Sequence, residues 1–355
     1  MMRIGYVPVL LPAILLFSGV IGRCGVAQTR SAGAVPLYGP SGVSVQAVRQ
    51  GSLGSCYFHS SIAAIAERNP NVLRSAVKDM GDGTYTVRFV DGRIETVQLD
   101  DAMFARRNKF DLSDGLWVTI MLRGLAQSTM RESLLASINA TALPASARAT
   151  AAGLVRSNDS LLLAYDRAVR VAVYQDGTID RDVLKTALNH QVQALGISVF
   201  FSRPVVDFLD AQGFFEALAK HVDQNGELYG AYRAVGQGGL VAKVLEAFDA
   251  PARDLPIHSR EDARTYLRRV QQSATPAVAT SGSTLDHAIL ARIRSREGGP
   301  DWWVPTHAYT VLSYDAGSDQ VTLRNPWGTH PDPNGVFTVS LADFVAAYQS
   351  IDLVN

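Results

Sequence analysis

The stretch QGSLGSCYFHSSIAAIA, residues 50–66, decides the fold because it places a cysteine between a glycine-rich approach and a helical pattern. Apolar residues from Phe58 to Ile65 recur at helical spacing, and Asn69-Pro70 predicts the end of the helix. The thiol of Cys56 would then lie at a helix N-terminus, where unpaired N–H groups and the helix dipole favour a thiolate. Cys56 is therefore a candidate nucleophile.

The N-terminal segment has the layout of a signal peptide. Arg3 precedes an uncharged stretch over residues 4–22, and the small residues Gly25-Val26-Ala27 follow it. We expect cleavage after Ala27 and export to the periplasm, the cell envelope or the medium. A stretch of this length also leaves open an uncleaved membrane anchor.

The chain has two cysteines, and cleavage after Ala27 would remove Cys24. Cys56 would then have no intramolecular disulfide partner, which points to a reactive thiol, an intermolecular bond or an inert buried side chain. A lipoprotein site at Cys24 is a further alternative, although Arg23 stands where a small residue would be expected.

Charge and composition exclude some partners. The 355 residues carry 33 basic and 33 acidic side chains and show no dense basic run. We therefore expect no nucleic-acid binding, and membrane contact only through an uncleaved N-terminal segment. The expected partner is a protein or peptide substrate, and we expect a monomer.

Helical patterns dominate most of the chain, and strand patterns dominate its end. A tight hairpin is predicted around Asp91-Gly92 and a helix over 115–128. This order predicts an α+β fold of two lobes. The predicted parts are a signal peptide (or anchor) over 1–27, a flexible linker over 28–44, a helical lobe over 45–250 with an insertion at about 129–228, and a β-rich lobe over 251–355.

The stretch HAYTVLSYDAGSDQVTLRNPWG, residues 307–328, predicts a second hairpin. A turn near Gly317 would set residue 307 opposite 327 and bring His307 and Asn325 to the same end of adjacent strands. The Asn325 side chain could then hold the imidazole in the tautomer needed for proton transfer. Trp327 could shield this contact from water, and the Gln50 amide could donate to a developing oxyanion.

Three stretches resemble motifs of the calpain family of cysteine peptidases. QGSLGSCYF resembles its Gln-Gly-x-Leu-Gly-Asp-Cys-Trp segment, HAYTVLSY its Gly-His-Ala-Tyr-Ser-Val segment, and LRNPWG its Asn-Pro-Trp-Gly segment. Supporting resemblance covers roughly residues 48–128 and 229–350. The resemblance implies a papain-like peptidase core with Cys56 as nucleophile, His307 as general base and acid, and Asn325 as its orienter. It further implies an oxyanion hole from Gln50 and the Cys56 N–H, and a shielding role for Trp327.

Some positions depart from the family pattern. Ser55 replaces the Asp of the family pattern, Tyr57 replaces a Trp and Thr306 replaces a Gly. His59 lies in an otherwise apolar run. From its helical offset we expect His59 to pack or line the cleft without facing the thiol.

The family's calcium ligands are also replaced. Ala47 and Thr329-His330-Pro331 stand where regulated calpains carry acidic residues, so hard oxygen ligands are missing. We expect a thiol endopeptidase that needs no calcium, no other metal and no cofactor. Two alternatives remain: an inactive peptide-binding protein, and an acyltransferase or toxin that uses the same Cys-His-Asn site.

Overall fold

Helices and strands are mixed along the chain, and the computed structural model describes them over residues 35–140, 144–157, 159–172, 183, 186, 230–291, 303–329 and 334–355. The described helices are α1 (Cys56–Arg68), α2 (Pro70–Ala76), α3 (Leu99–Arg107), α4 (Trp117–Ala140), α5 (Ala145–Ser157), α6 (Asp159–Ala172), α7 (Gly230–Gly236), α8 (Val241–Phe248), α9 (Arg260–Ser273) and α10 (Leu341–Ala347). The described strands are β1 (Val77–Asp79), β2 (Thr84–Arg88), β3 (Ile94–Gln98), β4 (Ala252–Pro256), β5 (Ala277–Ser281), β6 (Ala308–Asp315), β7 (Gln320–Arg324), β8 (Val336–Ser340) and β9 (Tyr348–Val354).

Helix α1 is confirmed over the predicted residues and is buried on every side. Each residue from Tyr57 to Ala66 is buried, so the helix is a core element and has no solvent face along that run. It ends where predicted, because Pro70 disfavours helical backbone at the preceding Asn69 and begins α2 instead.

Two antiparallel sheets complete the fold. The predicted hairpin is confirmed as β2–β3, pairing Arg88 with Ile94 around a turn in which Gly92 has a φ of 87°. Together with β1 these strands form a three-stranded sheet in the order β1-β2-β3. The second sheet has six strands in the order β4-β9-β5-β6-β7-β8.

Strands β5, β6, β7 and β8 and helix α10 confirm the predicted β-rich end of the chain. The six-stranded sheet also contains β4 and β9, which we did not predict. Strand β9 lies between the edge strand β4 and β5, so it is an interior strand of the sheet.

The hairpin β6–β7 has the predicted register near the end where His307 and Asn325 lie. Thr310 pairs with Arg324, which continues to the predicted facing positions 309 and 325. The turn is one residue longer than a turn centred on Gly317 requires, because Asp315 pairs with Gln320. An irregularity between Val311 and Ser313 absorbs the extra residue and restores the register.

Polar contacts hold α1 against β6. The Ser60 hydroxyl donates to the Ala308 carbonyl at 2.7 Å, and the Thr310 hydroxyl donates to the Ser60 carbonyl at 2.9 Å. About two turns further along α1, Arg68 donates to the Leu312 carbonyl. These bonds set the helix along the strand that follows His307.

The structure gives contacts near two of the predicted boundaries. Within the predicted linker, Tyr38 bridges to Gly115 and the Leu116 N–H donates to the Leu37 carbonyl at 2.9 Å. Helix α4 continues across residue 129, the predicted start of the insertion, to Ala140.

The predicted signal peptide over 1–27 and a strand candidate over 196–204 lie outside the described residues. Among the residues that the structure describes, no helix has both the length and the apolar character needed to cross a membrane.

Buried Asp352 predicts a pH-dependent stability. This carboxyl is 4% exposed on β9, faces Asp254 across the strand pair and accepts the Ala242 N–H. Burial, and then the charge of Asp254, raise its pKa to about 7. The folded state therefore binds a proton that the unfolded state has lost, and stability falls as pH rises from about 4 to about 7.

We expect Asp352→Asn to raise the free energy of unfolding more at pH 8 than at pH 4, and the two increases should differ by about 3 kcal/mol. Urea unfolding at both pH values measures it. Asp254→Asn is the matched control and should give a smaller gain, since it removes the repulsion and leaves the burial. An equal effect of Asp352→Asn at both pH values would contradict the prediction.

Candidate active site

The predicted nucleophile Cys56 is the first residue of α1 and is partly buried. Its sulfur accepts the backbone N–H of Ala308, the residue that follows His307. The N–H groups of Tyr57 and Cys56 itself also point to the sulfur, as the start of a helix requires. The structure thus brings the nucleophile segment and the histidine segment into direct contact.

His307 and Asn325 meet as predicted at one end of the β6–β7 hairpin. His307 Nε2 lies 3.1 Å from Asn325 Oδ1, and the Trp327 N–H donates to the same oxygen at 3.1 Å. The second donor fixes the Asn325 amide with its oxygen towards the ring. Nε2 therefore carries the proton in this bond, and Nδ1 keeps its lone pair as a proton acceptor.

Aromatic rings surround the His307 imidazole. The Trp327 ring lies 5.0 Å away between centroids, and the Tyr309 ring packs edge-on at 4.9 Å. Trp327 is thus where the sequence predicted it, beside the bond between His307 and Asn325. Asn325 is fully buried and His307 is 5% exposed, so the bond between them is withheld from water.

A residue that the sequence analysis missed, Ser281, holds the His307 backbone. Its hydroxyl accepts the His307 N–H at 2.9 Å, and its own N–H donates to the His307 carbonyl at 2.9 Å. Thr306 just before has a φ of 50°, a region that favours glycine. This explains the glycine of the family pattern and assigns Thr306 a strain of about 1–3 kcal/mol.

Gln50 is buried close to the same site. Its backbone N–H donates to the Pro326 carbonyl at 2.8 Å, which ties it to the Asn325-Pro326-Trp327 turn. Its side-chain nitrogen donates to the Leu53 carbonyl at 2.7 Å. An amide nitrogen has two hydrogens, and the bond to Leu53 uses one of them.

The electrostatics of the site correct the expected thiolate. Burial raises the pKa of the Cys56 thiol, and the backbone N–H groups that lower it do not outweigh burial. Burial also lowers the pKa of His307 to about 4, against the opposing hydrogen bond to Asn325. Both shifts act against the ion pair and favour a neutral thiol and a neutral imidazole.

No group of three or more His, Cys, Asp or Glu side chains suited to a metal ion occurs within the described part of the chain. Ala47 occupies one of the two positions where the calpain pattern has calcium ligands. It is buried and has no side-chain oxygen. His330 and Pro331 lie outside the described residues.

Comparison with known proteins gives a family match for the segment that contains Cys56. Residues 30–151 match a family model described as calpain family cysteine protease, a range that includes Gln50 and Cys56 and ends before His307. A search of curated proteins finds no match.

Among the solved structures that match, one is described as PepW from Lactobacillus rhamnosis HN001 (DR20). It is 12% identical, the match covers 93% of this chain and 83% of that one, and the TM-score is 0.30. At this TM-score the likeness says nothing about the fold or the activity of this chain.

The resemblance read from the Gln50–Ala66 stretch is thus confirmed, because residues 30–151, which contain this stretch, match the model of the calpain family of cysteine proteases.

Proposed function

We propose that the protein is a cysteine endopeptidase that cleaves peptide bonds with Cys56, His307 and Asn325. The observation that carries the proposal is the hydrogen bond from His307 to buried Asn325, with the N–H of the next residue, Ala308, donated to the Cys56 sulfur at the start of α1. The family match covers the segment that contains Cys56, and the bond between His307 and Asn325, which lie outside the match, supports their proposed roles.

In the proposed reaction, the thiol proton moves from Cys56 to Nδ1 of His307 as the sulfur attacks the peptide carbonyl carbon. The neutral resting pair makes proton transfer part of the attack. Asn325 keeps the ring oriented and stabilises the imidazolium through Nε2–H. The developing oxyanion accepts the Cys56 N–H and the remaining N–H of Gln50.

The tetrahedral intermediate then collapses to a thioester. His307 gives its proton to the leaving amine, the carbon–nitrogen bond breaks, and the carbonyl carbon stays bonded to Cys56 sulfur. Water attacks the thioester with His307 again as base, and the acid product and free thiol are released.

We propose a papain-like arrangement of two lobes for this chemistry. Two separate hydrophobic clusters support it. One contains α1 residues such as Phe58 and Ile62, and the other contains residues of the six-stranded sheet such as Leu323 and Ile351. We further propose that the protein is exported, that it acts as a monomer and that its substrate is a protein or peptide.

The triad assignment predicts the activity of single variants on a library of quenched fluorescent peptides. Cys56→Ala should abolish cleavage, and His307→Ala should lower kcat about 10²–10⁴-fold because general acid–base transfer is lost. His258→Ala is the matched control, because His258 is exposed and should be replaceable without effect.

Product masses separate the proposal from its rivals. Hydrolysis adds water at the cut, whereas an acyltransferase attaches an amine. Peptides that bind without being cut by the wild type would indicate an inactive peptide-binding protein, and cleavage that survives Cys56→Ala would refute the triad.

The low pKa of His307 predicts the acid limit of activity. His307 must be unprotonated to take the thiol proton, and its pKa is lowered to about 4. We expect kcat/KM to hold from pH 7 to about pH 5 and to fall as pH passes through about 4. A limit near pH 6.5, the ordinary histidine value, would contradict this expectation.

The same shift costs stability in acid, because the unfolded state takes up a proton below about pH 6.5 that folded His307 binds only near pH 4. Circular dichroism at each pH therefore has to accompany the rates, so that unfolding is not mistaken for titration.

We propose that cleavage requires no calcium, since Ala47 offers no ligand oxygen. The expected result is an unchanged rate when excess EGTA is added and no stimulation when calcium is returned. Magnesium in place of calcium is the control for ionic effects. A rate that vanishes in EGTA and returns with calcium alone would overturn the proposal.

A further inference from the structure

His59 and Asp111 form a fully buried pair one helical turn from the nucleophile. His59 Nε2 lies 3.2 Å from Asp111 Oδ1, and both side chains are 0% exposed. Ser113 donates to the same carboxyl at 2.5 Å, and Thr119 donates to its other oxygen. His59 is thus anchored in the core and does not line a cleft.

The carboxyl of Asp111 is ionised. Burial acts to raise its pKa, but the hydrogen bond and charge of His59 and the bonds from Ser113 and Thr119 lower it below the usual value. An ionised carboxylate only accepts hydrogen bonds, so Nε2 of His59 donates to it.

The other ring nitrogen of His59 reaches the peptide bond that leads into Cys56. Nδ1 lies 3.0 Å from the Ser55 carbonyl oxygen and 3.1 Å from the Ser55 hydroxyl. The His59 backbone N–H also donates to the Ser55 carbonyl at 3.0 Å, as the helix requires. The Ser55 carbonyl belongs to the same planar peptide unit as the Cys56 N–H.

Holding Ser55 therefore orients the Cys56 N–H. The Ser55 hydroxyl, 3.1 Å from Nδ1, gives the ring a side-chain contact with the residue that carries this carbonyl. The Cys56 N–H is one of the two donors proposed for the oxyanion. The position of His59 therefore affects the direction of this N–H.

The partner of His59 is linked to the second donor. Gln50 forms an isolated antiparallel bridge with Asp111. The neighbouring backbone is bonded in the same way, from the Gly51 N–H to the Phe110 carbonyl at 3.1 Å and from the Leu112 N–H to the Arg49 carbonyl at 2.9 Å. Both proposed oxyanion donors are thus tied to one buried pair.

We propose that His59, held by Asp111, is a positioning residue that sets the oxyanion hole by fixing the Ser55–Cys56 peptide relative to Gln50. The inference rests on the proposed peptidase function. It assigns a role to a side chain that departs from the apolar pattern of the helix around it.

The test compares His59→Leu with Gln50→Ala in the purified full chain. Because the oxyanion forms only during attack on a carbonyl, we expect His59→Leu to lower kcat about 10-fold with little change in KM. A peptide aldehyde, whose adduct carries an oxyanion, should bind about 10-fold more weakly. Gln50→Ala should change the same two quantities.

Alkylation by iodoacetamide supplies the contrast, since it forms no oxyanion. Its rate at Cys56, followed by peptide mass spectrometry, should stay within about twofold of wild type. Ser61→Ala is the matched control, because it removes another buried side-chain bond to a carbonyl of α1, the 2.7 Å bond to Tyr57. This variant should leave kcat and aldehyde binding unchanged.

A merely structural role gives a different result. Equal losses in kcat and in alkylation rate, together with a lower melting temperature, would overturn the proposal, and so would an unchanged kcat. If His59→Leu does not fold, His59→Leu/Asp111→Asn removes the stranded carboxylate charge and is measured in the same way.

A readout without turnover separates this inference from the proposed function. Selective ¹⁵N-cysteine labelling gives amide signals of the two cysteines, and Cys56→Ala assigns them. If the wild type cuts no peptide, the proposed function fails, but the Cys56 amide signal still tests the positioning role. A shift of this signal in His59→Leu but not in Ser61→Ala supports the role. No shift in His59→Leu refutes it.

Discussion

The docking of α1 on β6 is the contact on which the site depends. Cys56 and His307, the proposed nucleophile and base, lie 251 positions apart in the sequence, so no local preference can bring them together. The hydroxyls of Ser60 and Thr310 join the helix to the strand through two reciprocal bonds, and the Ala308 N–H reaches the thiol itself. Because these groups are buried, breaking either bond would leave an unsatisfied polar atom at about 1–3 kcal/mol, which fixes the helix along the strand.

Burial gives the site its shape and also sets its charge state. The same packing that withholds the bond between His307 and Asn325 from water removes the solvation that a thiolate and an imidazolium need. The N-terminus of α1 favours the thiolate, but a helix dipole contributes about 1 kcal/mol or less, whereas desolvation of a buried charge costs several. A neutral resting pair follows. A bound substrate that brings further dipoles to the oxyanion would then stabilise charge when the reaction creates it.

Local rules could predict α1, the β2–β3 hairpin and the register of β6–β7, because each depends on spacing and turn residues within one segment. They could not predict β9, whose pairing with β4 and β5 is non-local and whose buried Ser350 and Asp352 interrupt an apolar pattern. The proposed triad residues were assigned from motif order. His59 was seen as a departure, but its partner Asp111 is 52 positions away, so only the fold could show that the two meet. The charge state escaped prediction because burial is a property of the whole core.

Helices α6 and α7 are connected to the same site. In α6, Asp166 accepts Nη2 of Arg123 at 2.8 Å and the Ala231 N–H at 2.7 Å, so it joins α4 to the start of α7. The carboxylate and the guanidinium are both 0% exposed, and removing either would strand a buried charge at about 3–5 kcal/mol. The other end of α7 leads to Gln237, which bridges to Gly54, two residues before the nucleophile. A segment that the sequence suggested was an addition to the core therefore supports the loop that presents Cys56.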